Sequence, residues 1–356
     1  MSAAGLSSKI GLRLTGRGAD ENPKQRFTAL QWVYDEGEEL EKVATKVFRD
    51  HSSSIISRND SPDLGMDASV NPYRGCEHGC AYCYARPTHE YLGFGAGLDF
   101  ESKIMAKLDA PALLRKAFLK PKYRPVCMTM SGVTDCYQPI EKKLRITRGC
   151  LEVCAEFRHP VAIITKNHLV TRDIDVLVKL AQHDAAMVYI SLTSLDSDLA
   201  HKLEPRASSP AQRLQAVRML SEAGVPVGVS LAPMIPGLND HEMPSLLEAA
   251  AEAGAMAAFY SIVRLPFGVK EVFSNWLEAH FPDARDKILS RIEDAQGKTM
   301  SHPEFGKRLT GQGFWAEHLA QLFRVSMARF GFDEKTRPSL SAASFRRPVE
   351  QMEFAL

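Results

Sequence analysis

Residues 71–84 read Asn-Pro-Tyr-Arg-Gly-Cys-Glu-His-Gly-Cys-Ala-Tyr-Cys-Tyr, and they hold three of the seven cysteines of the chain. Cys76, Cys80 and Cys83 are spaced C-x3-C-x2-C, so one loop can bring three thiolates around one compact inorganic centre. A structural zinc ion usually takes four protein ligands, and a 4Fe–4S cluster usually takes four cysteines. Three local thiolates therefore favour an iron–sulfur cluster in which one iron atom has no protein ligand.

A small zinc site is the competing interpretation of this loop. His78 would be the fourth ligand, although its reach back to a shared metal within so tight a loop is doubtful. Cys150 and Cys154 are four residues apart on a predicted helix, a spacing more typical of buried packing than of a second cluster. The odd number and low density of cysteines argue against a disulfide scaffold and indicate a reducing, cytosolic setting.

The composition is that of an ordinary soluble globular protein of 356 residues, with 45% hydrophobic and 24% charged residues. The first twelve residues lack the apolar stretch of a signal peptide. No run approaches about 18 apolar residues, so we expect no membrane span. A net charge of +1 neither identifies nor excludes a nucleic-acid binder, because basic patches can be local.

Around the cysteine loop, short apolar runs of strand length alternate with helical patterns from about residue 68 onward. The predicted strands are 126–130, 161–165, 187–192, 225–231 and 257–265, and the predicted helices are 147–157, 171–182, 211–223 and 240–253. Ser209, Pro210 and Gly224 are the start and stop signals of the clearest helix. Five or six such units predict parallel strands, in either a partial barrel or a doubly wound sheet.

The motif C-x3-C-x-aromatic-C, with Tyr82 before the last cysteine, resembles the signature of the radical S-adenosylmethionine (SAM) superfamily. The resemblance implies a 4Fe–4S cluster whose open iron is chelated by SAM, and reductive cleavage of SAM to methionine and a 5′-deoxyadenosyl radical. It also implies an α/β fold with a partial (β/α)6 TIM-type barrel over residues 67–270. Residues 1–66 would then be an N-terminal arm and extension, and 271–356 a C-terminal helical extension with a basic tail. An electron donor such as flavodoxin or ferredoxin is the implied partner.

More of the chain resembles one branch of that superfamily, the spore photoproduct lyase-like proteins, and in particular a bacterial subgroup of it. The marks of the subgroup are Gly16-Arg17-Gly18-Ala19, Asn22-Pro23, and the strings at 56–62, 74–80 and 85–89. The branch suggests a nucleic acid or modified nucleotide as substrate, and the basic residues near both ends suit such a partner, among them Arg337, Arg346 and Arg347.

Polar side chains at the ends of the predicted strands are the candidate cofactor contacts, because they are costly to bury without partners. By resemblance, Thr134, Lys166 and Ser191 match family residues at SAM, and the backbone near Ala232 would flank the adenine. Asp135 suits either a ligand or a turn. Arg206 can clamp a carboxylate with two hydrogen bonds. The complete set of cofactor candidates is Tyr82, Thr134, Asp135, Lys166, Ser191, Glu204, Arg206 and Ala232.

The hydrogen-atom relay of the lyases is only partly present. Tyr82 and Tyr84 match the two relay tyrosines, but Gly132 stands where the lyases carry a cysteine. Cys136 and Cys127 are the nearby alternatives, and we take Tyr84 and Cys136 as the catalytic candidates. Gly132 disfavours repair of spore photoproduct. An iron–sulfur protein that senses redox state or delivers a cluster, without turnover, is the alternative function.

Overall fold

The computed structural model of the chain describes residues 16–27, 43–59, 61–64, 67–333 and 338–348. Within these ranges the strands are β1 (Lys46–Arg49), β2 (Ile56–Arg58), β3 (Ala68–Val70), β4 (Tyr73–Arg74), β5 (Lys103–Ala106), β6 (Met128–Met130), β7 (Val161–Thr165), β8 (Ala186–Ser191), β9 (Val227–Met234) and β10 (Ala257–Ile262). The α-helices are α1 (Leu98–Ser102), α2 (Ala110–Leu119), α3 (Glu141–Leu144), α4 (Ile146–Phe157), α5 (Ile174–Ala181), α6 (Ser197–Leu203), α7 (Pro210–Glu222), α8 (Met243–Glu252), α9 (Val269–His280), α10 (Arg285–Ala295) and α11 (Phe314–Arg329). Short 3-10 helices lie at Pro62–Leu64, Arg86–Leu92, His168–Asp173, Asp240–Glu242 and Pro282–Ala284.

The main sheet has the order β10-β9-β8-β7-β6-β3-β2, and every pair from β3 to β10 is parallel. The order follows the chain without a reversal, whereas a doubly wound sheet reverses at a switch point. Right-handed crossovers that always step in one direction place their helices on one face. The parallel strands are therefore wound as in the predicted partial barrel. The antiparallel strand β2 lies at one edge.

The two faces of the sheet bury different side chains. Alternate strand residues such as Val161, Val188 and Val229 pack with the helices in the largest hydrophobic cluster. The residues between them, including Ala162 and Met187, form a smaller cluster on the other face. We call this second face the inner face. Its residues are buried, with Leu340 packed against them, and the face continues to the carboxyl ends of the strands, where functional groups gather in such folds.

Helix α7 forms where its local start and stop signals predict it. The predicted helix 211–223 is confirmed as Pro210–Glu222, with the Ser209 side chain accepting a hydrogen bond from the Gln212 amide in a capping box. Gly224 follows with a positive φ of 76° and ends the helix. In the described ranges no helix is long and apolar enough to cross a membrane.

Part of the predicted N-terminal arm packs against the rest of the protein. Residues 16–27 make specific contacts, whereas residues 1–15 and 28–42 of that arm lie outside the described residues. Arg17 Nη1 donates to the Glu101 carbonyl at 2.8 Å, and Ala19 is 4% exposed. Farther on, β5 pairs with β1 on one side and with β4 on the other in a second, three-stranded sheet. This small sheet leads directly into the cysteine loop, which follows β4.

The basic C-terminal segment also contacts the protein. Arg346 N donates to the Phe157 carbonyl at 2.9 Å, and Arg347 donates to carbonyls at the end of α2, including that of Phe118 at 3.1 Å. Arg346 and Arg347 therefore lie against the protein in this structure, and whether they also bind nucleic acid stays a prediction. Their guanidinium and amide groups bind the chain's own carbonyls. Arg337 lies outside the described residues.

Candidate functional site

The three clustered cysteines lie in one loop at the carboxyl-terminal end of the parallel strands. All three thiols are free, Cys76 and Cys80 are each 7% exposed, and Cys83 is half-buried. Cys83 packs against two groups of buried side chains, one containing Cys80 and the other Cys76. The loop therefore gathers three thiols in one place.

Two glycines allow the loop to curl this tightly. Gly75 and Gly79 have φ values of 76° and 68°, in the region that glycine adopts without steric penalty. Successive turns follow, with hydrogen bonds from Gly79 N to the Cys76 carbonyl at 3.4 Å and from Cys83 N to the Cys80 carbonyl at 3.2 Å. A side chain at either glycine would also meet neighbouring atoms within 3.0 Å.

A fully buried ion pair packs against the cysteine loop and binds its backbone. Arg86 and Glu101 are 0% exposed and lie 2.5 Å apart. Arg86 also donates to the carbonyls of Cys80 at 3.0 Å and Gly79 at 3.3 Å. Glu101 Oε2 accepts from Gly18 N at 3.0 Å, so the N-terminal segment is tied to the same pair. The subgroup strings around Gly18 and Arg86 thus meet at the cysteine loop.

Arg206, expected to clamp a ligand carboxylate, binds a carboxylate of the loop itself. Its Nη2 lies 3.1 Å from Glu77 Oε1, and its Nη1 donates to Thr45 Oγ1 at 3.1 Å. The Glu77 carboxylate also accepts from Thr45 Oγ1 at 2.7 Å and from Ile140 N at 2.5 Å. Arg206 therefore connects the chain after α6 to the outer side of the cysteine loop.

His78 is held in a buried network. Its Nδ1 lies 3.3 Å from Asp135 Oδ2, and its Nε2 lies 3.3 Å from Asn167 Nδ2. Asp135 also accepts from Thr165 Oγ1 at 2.7 Å and from Lys166 N at 2.8 Å. Burial opposes both charges, but their mutual attraction raises the pKa of His78 to about 10 and lowers that of Asp135 to about 2. Because both ring nitrogens of His78 face protein groups, this conformation disfavours the zinc interpretation.

Strand register places the next candidates together. Thr165 pairs with Ile190 across β7 and β8, so Lys166 and Ser191, one residue later, are neighbours. Both continue the alternation of the inner face, as does Ala232 in β9. These three residues therefore line the carboxyl edge of the inner face, and Lys166 Nζ lies 5.9 Å from the centre of the Tyr82 ring in the cysteine loop.

Glu204 is the centre of a second buried network. Its carboxylate accepts hydrogen bonds from the Tyr82 hydroxyl, the Arg213 guanidinium, and Thr193 Oγ1 at 3.0 Å. Burial raises its pKa, but the charges of Arg213 and Lys166 outweigh burial and hold the pKa of Glu204 below its usual range. In return, Glu204 raises the pKa of Lys166 against the effect of burial. Tyr82, Lys166 and Glu204 thus meet beside the cysteines.

The two candidates that follow β6 have different surroundings. Thr134 Oγ1 donates to the Gly75 carbonyl at 2.8 Å and accepts from Gln138 Nε2 at 3.1 Å. Cys136 is 0% exposed in the large helix-side core, with Sγ 3.9 Å from the Met130 carbonyl. Its thiol lies on the opposite side of the sheet from the inner face.

Tyr84 and Gly132 border open space. The Tyr84 side chain is 44% exposed, and its hydroxyl donates to the Gly132 carbonyl. A Cβ added at Gly132 would meet no atom within 4 Å. Arg264, just after β10, places its guanidinium carbon 4.5 Å from the centre of the Tyr84 ring. The edge of the site at Tyr84 is therefore accessible from solvent.

The three thiols fit a cluster better than a single metal ion. No three His, Cys, Asp or Glu side chains within the described ranges are arranged to hold one metal ion. A 4Fe–4S cluster makes a different demand, because each cysteine binds a different iron atom. Three free thiols, two of them largely buried and none in a disulfide, have the chemistry that such a cluster requires.

Sequence reasoning missed the charged residues that support the loop. Four of them were not singled out, although two, Glu77 and Arg86, lie in the strings 74–80 and 85–89 noted for their resemblance; the other two are Glu101 and Arg213. Glu101 lies 83 residues from Gly18, and Glu204 lies 122 residues from Tyr82. The one signal in the sequence was that these charged residues lie close to apolar segments. That signal indicates burial but does not identify the residue with which each one pairs.

Comparison with known proteins places this geometry in a family. Residues 70–250 match the radical SAM superfamily. An uncharacterized protein of Mycobacterium tuberculosis (strain H37Rv) is 33% identical over 228 residues, which are 64% of this chain and 66% of that relative. The chain thus spans just under two thirds of that relative's length. A Pseudomonas phage M6 protein named radical SAM Nalpha-GlyT isomerase is 25% identical over 241 residues, 66% of this chain and 48% of the phage protein.

Among solved structures, spore photoproduct lyase complexed with dinucleoside spore photoproduct superposes with a TM-score of 0.57 at 19% identity, covering 80% of this chain and 78% of the lyase. A doubly substituted mutant of spore photoproduct lyase with bound AdoMet and dinucleoside spore photoproduct gives a TM-score of 0.54 at 20% identity, covering 76% of each chain. These likenesses concern the fold. The family match covers at least half of the 356 residues and includes all three loop cysteines, so the chain belongs to the radical SAM superfamily.

Proposed function

We propose that Cys76, Cys80 and Cys83 bind a 4Fe–4S cluster that leaves one iron for SAM, and that the chain is a radical SAM enzyme. The observation that carries the proposal is the gathering of three free thiols in one loop at the carboxyl edge of the parallel strands. The family implies an iron–sulfur cluster and SAM, and the three-cysteine set makes the four-iron cluster the matching type.

When bound, the cluster supplies the electron that cleaves the sulfonium of SAM. The protein's own contribution is to fix the loop, exclude water and orient the cofactor. Arg86 donates hydrogen bonds to two carbonyls of the loop, and Arg206 forms an ion pair with Glu77 of the loop. The burial of Cys76 and Cys80 keeps solvent from their thiolates.

We assign the eight cofactor candidates to two roles. Lys166, Ser191 and Ala232 are proposed as direct contacts, because they line the inner face beside the loop. An ammonium and a hydroxyl there suit the carboxylate and amino groups of SAM. The other five are proposed as positioning residues, because their polar groups already bind protein atoms: Tyr82, Thr134, Asp135, Glu204 and Arg206.

For the substrate, we propose a nucleic acid or modified nucleotide first. The support is the likeness in fold to spore photoproduct lyase, whose solved complex contains dinucleoside spore photoproduct. The lyase reaction itself is not proposed, because Gly132 supplies no thiol and Cys136 lies across the sheet in the core. Tyr84, exposed at the open edge, is the proposed catalytic residue, and we propose core packing as the role of Cys136.

We further propose that the enzyme works in the cytoplasm with a small electron-transfer protein such as flavodoxin or ferredoxin. A cluster that must be reduced in each turnover requires such a donor, and free, unpaired cysteines suit a reducing compartment.

The test is anaerobic cluster reconstitution, followed by dithionite reduction in the presence of SAM and analysis for 5′-deoxyadenosine. The wild-type protein is expected to form 5′-deoxyadenosine, and Cys83→Ala is expected to lose it. Cys127→Ala is the matched control, since Cys127 is a half-buried free thiol bonded to the Leu340 carbonyl at 3.5 Å, away from the loop. It should retain product formation.

Three results would count against the proposal. A fully loaded cluster that yields no 5′-deoxyadenosine, with or without oligonucleotides, favours an iron–sulfur protein without turnover. Equal loss in Cys83→Ala and Cys127→Ala would indicate general damage rather than loss of a ligand. Binding of one zinc and no iron would overturn the cluster itself.

A further inference from the structure

We propose that Arg264 binds an oxyanion of the substrate, a phosphate or a carboxylate, at the open edge of the site beside Tyr84. The inference rests on the proposed radical SAM reaction and names the chemistry of the group that its substrate must carry. Arg264 follows β10, the last parallel strand, at the same carboxyl edge as the cysteine loop.

The Arg264 guanidinium is partly withdrawn from water without being satisfied. Its Nε is buried and has no hydrogen-bond partner within the described parts of the chain. One face of the guanidinium lies against the Tyr84 ring, 4.5 Å from the ring centre. Stacking on the aromatic ring orients the planar guanidinium, but the face of the ring provides no acceptor for the N–H groups that point outward in the guanidinium plane. The Nε–H therefore lacks an acceptor among the described residues, and an oxygen atom of a ligand would supply one.

No carboxylate in the described residues forms an ion pair with this cation. Asp63 is the carboxylate that acts on Arg264 at longer range, but its Oδ2 lies 2.5 Å from Nε of Arg308, and its Oδ1 accepts from Gly306 N at 2.5 Å. Burial lowers the pKa of Arg264 most strongly, and the Arg308 guanidinium lowers it further, against the opposing effects of Tyr84, Asp63 and Cys83. Asp63 therefore acts on both Arg264 and Arg308, but it forms its ion pair with Arg308.

The surroundings of Arg264 are reachable by a ligand. Tyr84, on which it stacks, is 44% exposed, and the Tyr84 hydroxyl meets the Gly132 carbonyl, where the space around the α-carbon is open. An anion held by Arg264 would lie next to the tyrosine that follows Cys83. A substrate anchored there by its charged group would present its remaining atoms toward the inner face. Charge-assisted, two-pronged bonds from arginine are well suited to fix such a group.

Binding of two probes by the reconstituted holoprotein with SAM tests the inference, with inorganic phosphate and acetate titrated separately by calorimetry. We expect at least one anion to bind the wild-type protein, and Arg264→Gln to weaken that binding by about tenfold or more. Arg264→Lys, which keeps the charge but loses the fork, should be intermediate. The preferred probe tells whether the substrate group is a phosphate or a carboxylate.

Arg329→Gln is the matched control. Arg329 is an exposed arginine whose guanidinium also lies over an aromatic ring, 5.2 Å from the centre of Phe330, but it ends α11 and lies outside the site. The Arg329→Gln variant should bind phosphate and acetate with the same affinities as the wild-type protein. Thermal unfolding of each variant checks that the fold is intact.

The inference is overturned if Arg264→Gln binds both anions with wild-type affinity, or if neither anion binds the wild-type holoprotein. It is also overturned if Arg264→Gln weakens binding of SAM alone, since the guanidinium would then serve the cofactor. Formation of 5′-deoxyadenosine by the wild-type protein is measured in parallel. Absence of that product with an Arg264-dependent anion site would refute the proposed function and leave the anion site standing.

Discussion

At the scale of single residues, Gly18 and the cysteine loop are in backbone contact. A Cβ at Gly18 would lie 1.7 Å from the Gly79 carbonyl oxygen and 2.9 Å from its carbon, distances that real Cβ atoms do not show. The obstructing atoms belong to the backbone and cannot rotate away. If Gly18 acquires a side chain, the contact between its segment and the loop that carries Cys76 and Cys80 must therefore open.

We expect Gly18→Ala to destabilise the protein by about 1–3 kcal/mol, the usual range for overpacking, and to lower its iron content after reconstitution. Urea unfolding and iron analysis measure the two effects. Gly16→Ala is the control, because Gly16 has a φ of 79° but no atom within 4 Å of its added Cβ. It should show backbone strain without loss of iron. Equal iron content in both variants would contradict the contact between segment and loop.

At the scale of elements, the C-terminal segment 338–348 packs against the ends of helices α2 and α4. Phe345 packs against Phe118, Tyr123 and Phe157 with ring centres 6.0–6.2 Å apart. Arg347 donates to the carbonyls of Phe118, Lys120 and Tyr123, each at 3.1 Å. These bonds satisfy carbonyls at and beyond the end of α2, which a helix cannot satisfy by itself. The segment is therefore part of the fold.

Replacement of Arg346 and Arg347 by glutamine tests this assignment. The double variant should be less stable by about 1 kcal/mol, as for the net loss of one or two hydrogen bonds near the surface. Arg324→Gln, an exposed change on α11, should be neutral. If the two arginines instead contacted phosphates, the double variant would keep its stability, and the salt dependence of any nucleic-acid binding would fall by a slope of about 2.

Helix α7 and the strands of the small sheet show what could be predicted at this scale. The start and stop signals of α7 are local, so its bounds followed from Ser209 and Gly224 to within a residue. The strands β1 and β2 have four and three residues with mostly exposed side chains, and no periodicity reveals them. They form because partners are supplied by β5 and β3, which are distant in sequence or lie across a turn-rich segment.

At the scale of the whole molecule, His159 joins several parts of the protein. It stacks on Phe118 at 4.3 Å, bonds to the Tyr123 hydroxyl at 2.8 Å, and meets Phe345 edge-on. Burial lowers the pKa of His159 to about 4. The unfolded chain binds this proton near pH 6.5, so stability is present above that pH and is lost as the pH falls toward 4.

We expect the wild-type protein to lose up to about 3 kcal/mol of stability from His159 between pH 6.5 and 4, and His159→Gln to lose correspondingly less. Urea unfolding at several pH values measures the difference. His201→Gln, a change at an exposed histidine of α6, is the control and should follow the wild-type curve. Parallel curves for wild type and His159→Gln would show that His159 does not titrate on unfolding in this range.

The sequence by itself determined the class of the protein, because its strongest signals are local. Three cysteines within eight residues, the alternation of strands and helices, and the caps of α7 need no knowledge of distant segments. Only the tertiary structure decided which polar residues are free to meet a ligand. Asp135 and Glu204 bind His78 and Arg213, while Arg264 keeps an unpartnered Nε among the described residues. A charged residue finds its partner in space, and no local pattern records that pairing.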